Sequence, residues 1–313
     1  GSAISLRING IIEKQNTELV KVENVLSFLK KNLSKDQFDE FNNKKNLDFA
    51  LELNKNRFRA NAYLGYNGCN IVLRKIETKI PDINDLNLPP IVNQQINSDS
   101  GLILITGPTG SGKSTSLASI INYININKQK NIITIEDPIE FIHKADQSII
   151  SQREIGIHAT TFANALRASL REDPDVILVG ELRDLETTSL ALTAAETGHL
   201  VLGTLHTSGA PNTIHRIIDI FPSQQQDQIR SQLASSLKLV MTQKLIRKID
   251  GSGRVGAFEV MVCNAAIKNL IRENKIHQVP TVMQTGLKDG MITMDKSIEN
   301  LINDGLINFD DTQ

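Results

Sequence analysis

The run Leu102-Ile103-Leu104-Ile105-Thr106 leads without a break into Gly107-Pro108-Thr109-Gly110-Ser111-Gly112-Lys113-Ser114-Thr115, and this junction narrows the possible folds more than any other feature of the chain. A short apolar run reads as a buried strand, the glycine-rich stretch as a turn, and Leu117 to Tyr123 as the helix after it. Gly107, Gly112, Lys113 and Ser114 fall on the fixed positions of the phosphate-binding loop with no mismatch. Each residue type has a task. Gly107, Gly110 and Gly112 let the backbone turn with positive φ and bring its N–H groups close to phosphate oxygens. The helix start adds its positive dipole end. Lys113 supplies a point charge for the β- and γ-phosphates, and the Ser114 hydroxyl is placed to ligate Mg²⁺. The chain is expected to bind ATP through residues 107–115, with Mg²⁺ as cofactor.

The segments beyond the loop set the architecture. Asn131–Ile135, Val176–Val179 and Leu200–Leu205 read as buried strands, and Thr161–Arg171 and Leu185–Thr197 as helices between them. Such alternation implies an α/β domain with a parallel sheet covered on both faces and ligands at the C-terminal edge of its strands. Glu136, Glu140, Glu181 and His206 each come just after a strand, so they are expected to converge on the edge where the loop holds phosphates. Glu181, after four apolar strand formers and Gly180, fits an acid that polarises the attacking water or helps hold Mg²⁺. One of Glu136 and Glu140 takes a related role. His199 and His206 flank one strand, so only one can lie at the phosphate edge, and that is His206. It is the candidate sensor of the γ-phosphate, with His199 a weaker candidate beside it.

Upstream, residues 1–80 form a smaller α+β unit. Ile4–Ile8 alternates, Asn9-Gly10 is a hairpin turn signal, Val22, Val25, Leu26 and Leu29 share one helical face, and Ser34 caps a second helix. Three further strands are expected at Leu47–Leu53, Asn56–Leu64 and Asn70–Ile76. Arg59 and Arg74 lie on neighbouring strands there, and arginine's planar fork suits phosphate, although exposed strand arginines are usually just solvated. Residues 81–99, with Pro81, Pro89 and Pro90, read as an interdomain connection, and residues 100–313 as the second domain. Gly1-Ser2 looks like an expression scar, with native sequence expected upstream.

Composition removes several classes. A net charge of −1 gives no general attraction for nucleic acid or an anionic membrane. Aromatics are 4% with no Trp, which argues against base stacking. Two cysteines, Cys69 and Cys263, with no CxxC, indicate neither a zinc ribbon nor a disulfide framework. No apolar run approaches the ~20 residues that cross a bilayer, and a cytoplasmic location with no direct membrane insertion is expected.

These motifs resemble those of the secretion ATPase superfamily that drives type II secretion and type IV pili. The likeness rests on Gly107–Thr115, on the acidic box Ile135-Glu136-Asp137-Pro138-Ile139-Glu140, and on Asp173–Asp184 with Gly180-Glu181 at its heart. It continues through Thr197-Gly198-His199 to Gly203-Thr204-Leu205-His206-Thr207. Within that superfamily the chain is most similar to the retraction motors of twitching motility. Ala266-Ile267-Lys268-Asn269-Leu270-Ile271-Arg272-Glu273 is close to their AIRNLIRE signature, with Lys268 in place of arginine, and Gln284-Thr285-Gly286 and Gly290-Met291 fit their C-terminal pattern. The resemblance implies a homohexameric ring, a PAS-like N-terminal domain, a RecA-like ATPase core and a C-terminal helical region. It favours Glu140 over Glu136 and implies that Arg59 and Arg74 reach the nucleotide. It further implies an inner-membrane pilus platform protein as partner, pilin as an indirect one, and a place at the cytoplasmic face of the inner membrane. The alternatives are an assembly or export ATPase of the same superfamily, a nucleic-acid motor, and a scaffold that binds ATP but barely hydrolyses it.

Overall fold

The computed structural model describes residues 3–8, 11–16, 19–54, 56–76 and 79–309. The chain divides into two compact units, Gly1–Thr78 and Lys79–Gln313.

In the first unit β1 (Ser5–Ile8) pairs antiparallel with β2 (Ile11–Lys14). The Asn9-Gly10 turn, like Gly1-Ser2, lies outside the described residues. Helices α1 (Val22–Asn32) and α2 (Lys35–Lys44) come next, then an antiparallel sheet of β3 (Asn46–Leu53), β4 (Asn56–Gly65) and β5 (Gly68–Ile76) in that order. Ser34 caps α2 reciprocally: its Oγ accepts from Gln37 N at 3.2 Å, and Gln37 Oε1 accepts from Ser34 N at 3.0 Å. Strand alternation sends Leu47, Phe49, Leu51, Ala60 and Ala62 to one face, where they bury against Leu29 of α1 and Phe41 of α2. Arg59 and Arg74 are directly opposed across β4 and β5, and both are exposed.

The second unit opens with α3 (Pro90–Gln95) and carries, among the described residues, a seven-stranded sheet. Its strands are β6 (Gly101–Thr106), β7 (Asn131–Glu136), β8 (Ile149–Glu154), β9 (Val176–Val179), β10 (Leu200–Leu205), β11 (Leu237–Arg247) and β12 (Arg254–Val262). The order across the sheet is β12-β11-β6-β10-β9-β7-β8; β12 alone pairs antiparallel. The helices are α4 (Lys113–Asn127), α5 (Phe162–Ser169), α6 (Leu185–Glu196), α7 (Ala210–Asp219), α8 (Gln226–Ser236), α9 (Ala265–Arg272), α10 (Val279–Thr285) and α11 (Met294–Asn303).

Both faces of the sheet are covered, which explains the near-continuous apolar runs. Leu102 and Leu104 face a core shared with α5 to α9, and Ile103 and Ile105 face one shared with α3 and α4. Each such side chain contributes roughly 2 kcal/mol on burial, so the central strands anchor the rim residues beyond their ends. Residues 81–99, read from sequence as a connection, pack on this unit: Ile83, Val92 and Ile96 are buried in it, and Ser119 Oγ donates to Pro81 O at 2.8 Å.

β8, β11 and β12 have no counterpart among the sequence expectations. The β11–β12 hairpin extends the sheet before the C-terminal helices α9, α10 and α11 begin. β11 succeeds α8 directly, Ser236 to Leu237, with no glycine or proline to mark the change. The outer end of the hairpin has its own cover: Ile246, Val255 and Ala257 pack against Ile298, Leu301 and Ile302 of α11. Among the described residues no helix is long and apolar enough to cross a membrane.

Candidate active site

Parallel pairing puts the C-terminal ends of β6, β10, β9 and β7 on one rim. Thr106 is level with Leu205, and Val179 is level with both Gly203 and Ile135. Glu181, two residues beyond Val179, and His206, one beyond Leu205, therefore rise beside the loop that starts at Gly107. Lys113 Nζ lies 3.5 Å from His206 Nδ1, and His206 Nε2 lies 3.5 Å from Glu181 Oε2. A lysine ammonium can only donate, so the tautomer that fits this contact is the one that accepts at Nδ1 and directs Nε2–H at the carboxylate. The contacts form a short polar chain from lysine through imidazole to acid.

Lys113 also donates to Gly107 O at 2.7 Å and Pro108 O at 3.0 Å. Burial pushes the Lys113 ammonium below its ordinary range, and the charges of Glu181 and Glu140 oppose that shift. Glu181 Oε2 is further bound by the exposed Arg183 guanidinium at 2.6 Å. Behind it the β9 turn is pinned, with Gly180 N donating to Ile135 O at 2.8 Å and Leu182 N to Thr204 O at 3.0 Å.

The loop is shaped by strand β11. Gly107 has φ +134°, and a Cβ there would fall 2.3 Å from Gln243 O; at Gly112, φ +90°, a Cβ would fall 2.7 Å from Gln243 Nε2. Glycine is thus demanded both by backbone conformation and by the close approach of β11. Gln243 Oε1 accepts from Ser116 Oγ at 2.9 Å, and Thr242 Oγ1 bonds Thr106 Oγ1 at 2.9 Å. Neither Thr242 nor Gln243 is among the sequence expectations. Both are buried, although they stand in a polar run, Thr242-Gln243-Lys244, that follows the apolar Leu239-Val240-Met241 of the same strand.

Phosphate fits this cradle. Ser111 Oγ is buried with no hydrogen-bond partner, and the space beside Gly110 is open. A phosphate chain supplies acceptors for that hydroxyl and for the N–H groups at the start of α4. Ser114 and Thr115 stand half-buried in the first turn of α4. The Ser114 hydroxyl and the carboxylates of Glu181 and Glu140 are hard oxygen donors of the kind Mg²⁺ takes.

The acidic box divides into two roles. Glu136 is largely buried; burial raises its pKa, and bonds from Thr134 Oγ1 at 2.6 Å and Gln152 Nε2 at 3.3 Å act against the rise. Glu140 is exposed, and its charge reaches both Glu136 and Lys113. The loop presenting it hangs from β8. Gln152 donates to Phe141 O at 2.9 Å and accepts from His143 N at 2.9 Å, while Glu154 accepts from Ile139 N at 3.0 Å. These supports act across strands, so nothing local in the sequence announces them.

In the same loop burial drives His143 down to about 4 from its model-compound 6.5, and its Nδ1 has no hydrogen-bond partner. A depressed histidine binds its proton more readily when unfolded. Stability is therefore complete above about pH 6.5 and falls as pH drops towards 4, by about 3 kcal/mol over that window. Melting curves of the unsubstituted chain and of His143→Asn at pH 7.5 and 4.5 check this. The substitution should remove a large part of the acid sensitivity, and equal sensitivity in both would refute the assignment.

The sheet does not bring His199 to this rim. It precedes Leu200, level with Gly101 at the opposite edge, and its Nδ1 lies 3.0 Å from Ala194 O at the end of α6. Six residues of strand, roughly 20 Å, separate it from the loop, and its contact within this chain is with the end of α6. Arg59 and Arg74 belong to the other unit.

Comparison with known proteins gives a consistent picture. The profile of the family described as "Type II/IV secretion system protein" matches residues 2–311. The chain is 48% identical over 303 residues to a "Twitching motility protein" of Neisseria gonorrhoeae, covering 96% of this chain and 81% of that one. It is 44% identical to the "Type IV pilus retractation ATPase PilT" of Pseudomonas aeruginosa, covering 96% and 88%. Among solved structures, "Crystal Structure of the Pilus Retraction Motor PilT and Bound ADP" superposes with a TM-score of 0.92 at 46% identity, covering 99% of this chain and 89% of that one.

Proposed function

The chain belongs to the type II/IV secretion system protein family, and from that premise we propose that it is a pilus retraction ATPase working as a homohexameric ring. The observation that supports the ATPase part of this reading is the Lys113–His206–Glu181 chain beside the glycine-rich loop, and retraction rests on the likeness to the retraction motors.

The loop amides and Lys113 hold the β- and γ-phosphates, which compete with Gly107 O and Pro108 O for the ammonium. Glu181, with Glu140 nearby, orients a water and accepts its proton as the oxygen attacks the γ-phosphorus and ADP departs. His206, between ammonium and carboxylate, is placed to register whether the γ-phosphate is present. Mg²⁺ held at the Ser114 hydroxyl supplies neutralising charge to the phosphate oxygens. Arg59 and Arg74, side by side on an exposed sheet face, are proposed to reach the nucleotide as well, since their forks suit phosphate. The cycle acts on a platform protein at the cytoplasmic face of the inner membrane, and through it on pilin; nucleic acid is not a partner.

Deletion of the gene in the source organism should leave cells hyperpiliated and unable to twitch, scored by pilus shearing and a surface-motility assay. Bald cells would instead support an assembly motor. DNA stimulation of hydrolysis by the purified protein would support a nucleic-acid motor.

A further inference from the structure

Strand β11 does not stop where β6 stops. Their pairing ends at Thr242 with Thr106, the last residue before the loop, and Gln243–Arg247 run on past it, paired with Arg254–Phe258 of β12. Directly opposed residues of an antiparallel pair share a face, as do residues two apart. One face of this arm therefore carries Gln243, Leu245 and Arg247 with Phe258, Gly256 and Arg254 opposite them. The other face, with Ile246, Val255 and Ala257, is the one that α11 covers.

The first face looks onto the glycine-rich loop. A Cβ at Gly112 would fall 2.7 Å from Gln243 Nε2 and 3.4 Å from Leu245 Cδ1, and Arg254 Nη1 donates to Gly110 O at 3.5 Å. The far end of the arm is pinned, with Lys248 N donating to Gly253 O and Ile249 N to Leu306 O, both at 3.0 Å. Arg247 and Arg254 stand directly opposite each other there, both exposed. Among the described residues no carboxylate pairs with either. Like charges so placed repel, and an anion between them removes that cost. Guanidinium forks take phosphate oxygens two at a time, and the space beside Gly110 is open.

Strand order says which phosphate this is. Lys113, His206 and Glu181 stand at the ends of β6, β10 and β9, whereas β11 and β12 lie on the other side of β6. A phosphate chain seated in the loop with its γ end towards β10 has its α end towards the arm. Building on the ATPase reading above, we propose that Arg254, with Arg247 beside it, binds the α-phosphate of a nucleoside di- or triphosphate.

Equilibrium binding of ADP and of a non-hydrolysable ATP analogue to the full-length oligomer tests this. Arg254→Ala should weaken both by the same factor, about tenfold, and Arg247→Ala with Arg254→Ala should weaken both further. Arg254→Lys keeps a charge without the fork, so it should recover part of the loss. In steady-state hydrolysis the loss should fall on KM and not on kcat, since the α-phosphate gains no charge as the γ-phosphorus is attacked. A loss confined to the ATP analogue would put the arginines at the γ end and overturn the proposal. So would a loss that lysine does not relieve at all, which points to stacking on the base. Unchanged affinity for both nucleotides in the double variant overturns it while leaving the ATPase reading intact. An unsubstituted protein that binds neither nucleotide overturns both.

Discussion

Glu181→Gln should hydrolyse ATP roughly a hundred- to ten-thousand-fold more slowly than the unsubstituted protein while still binding it. The carboxylate is mostly buried at the rim, and its Oε2 faces His206 Nε2 at 3.5 Å and Arg183 at 2.6 Å. Glutamine preserves the shape and one acceptor but cannot take a proton from water. The lost ion pair matters little to the fold, because Arg183 is 68% exposed and such pairs contribute about 0.2–1 kcal/mol. A fall in turnover therefore reports chemistry and not unfolding. Single-turnover hydrolysis, with nucleotide affinity measured in parallel, separates the two, and hydrolysis at the unsubstituted rate would remove Glu181 from its role.

Lys113→Ala should act earlier in the cycle. Its ammonium donates to the loop carbonyls of Gly107 and Pro108 and lies 3.5 Å from His206 Nδ1. A hydrogen bond to a charged group contributes about 1.5–3 kcal/mol, so affinity for ATP should fall roughly ten- to a hundredfold. Turnover should fall by a further hundredfold or so, because the charge that stabilises the transferring phosphoryl group is gone. The substitution also frees Gly107 O and Pro108 O and removes a donor from His206. Equilibrium binding of a fluorescent ATP analogue, with turnover then measured at saturating ATP, gives the two effects separately. Full affinity in Lys113→Ala would mean that the triphosphate binds elsewhere.

The contrast between these variants and the supporting residues shows what a sequence can disclose. The glycine-rich loop is legible because its chemistry is local: strand, turn and helix start are contiguous, and each residue type has one use there. Glu181 and His206 are legible one step further on, because parallel strands carry whatever lies beyond them to a common rim. His199 shows the limit of that rule. It shares a motif with His206 but stands at the other end of the same strand, and strand direction, not motif membership, decides which histidine meets the loop. Gln243, Gln152 and Glu154 were not legible. Each works across the sheet on a segment remote in sequence, and only the strand order makes them neighbours. β11 was hidden for a different reason, since α8 passes into it at Ser236-Leu237 with no breaking residue, and β8, a polar edge strand, lacks the apolar run that marks its neighbours.

All of these expectations descend from one claim, that loops distant along the chain close around a single triphosphate at the C-terminal rim of the sheet. The most direct measurement is the density of the full-length protein with Mg²⁺ and a non-hydrolysable ATP analogue. The account predicts the γ-phosphate within hydrogen-bond reach of Lys113 Nζ and His206, the cation at the Ser114 hydroxyl, and the Glu181 carboxylate facing the side of the phosphorus opposite the leaving oxygen. A nucleotide seated away from residues 107–115, or a γ-phosphate approached by neither Glu181 nor His206, would contradict it.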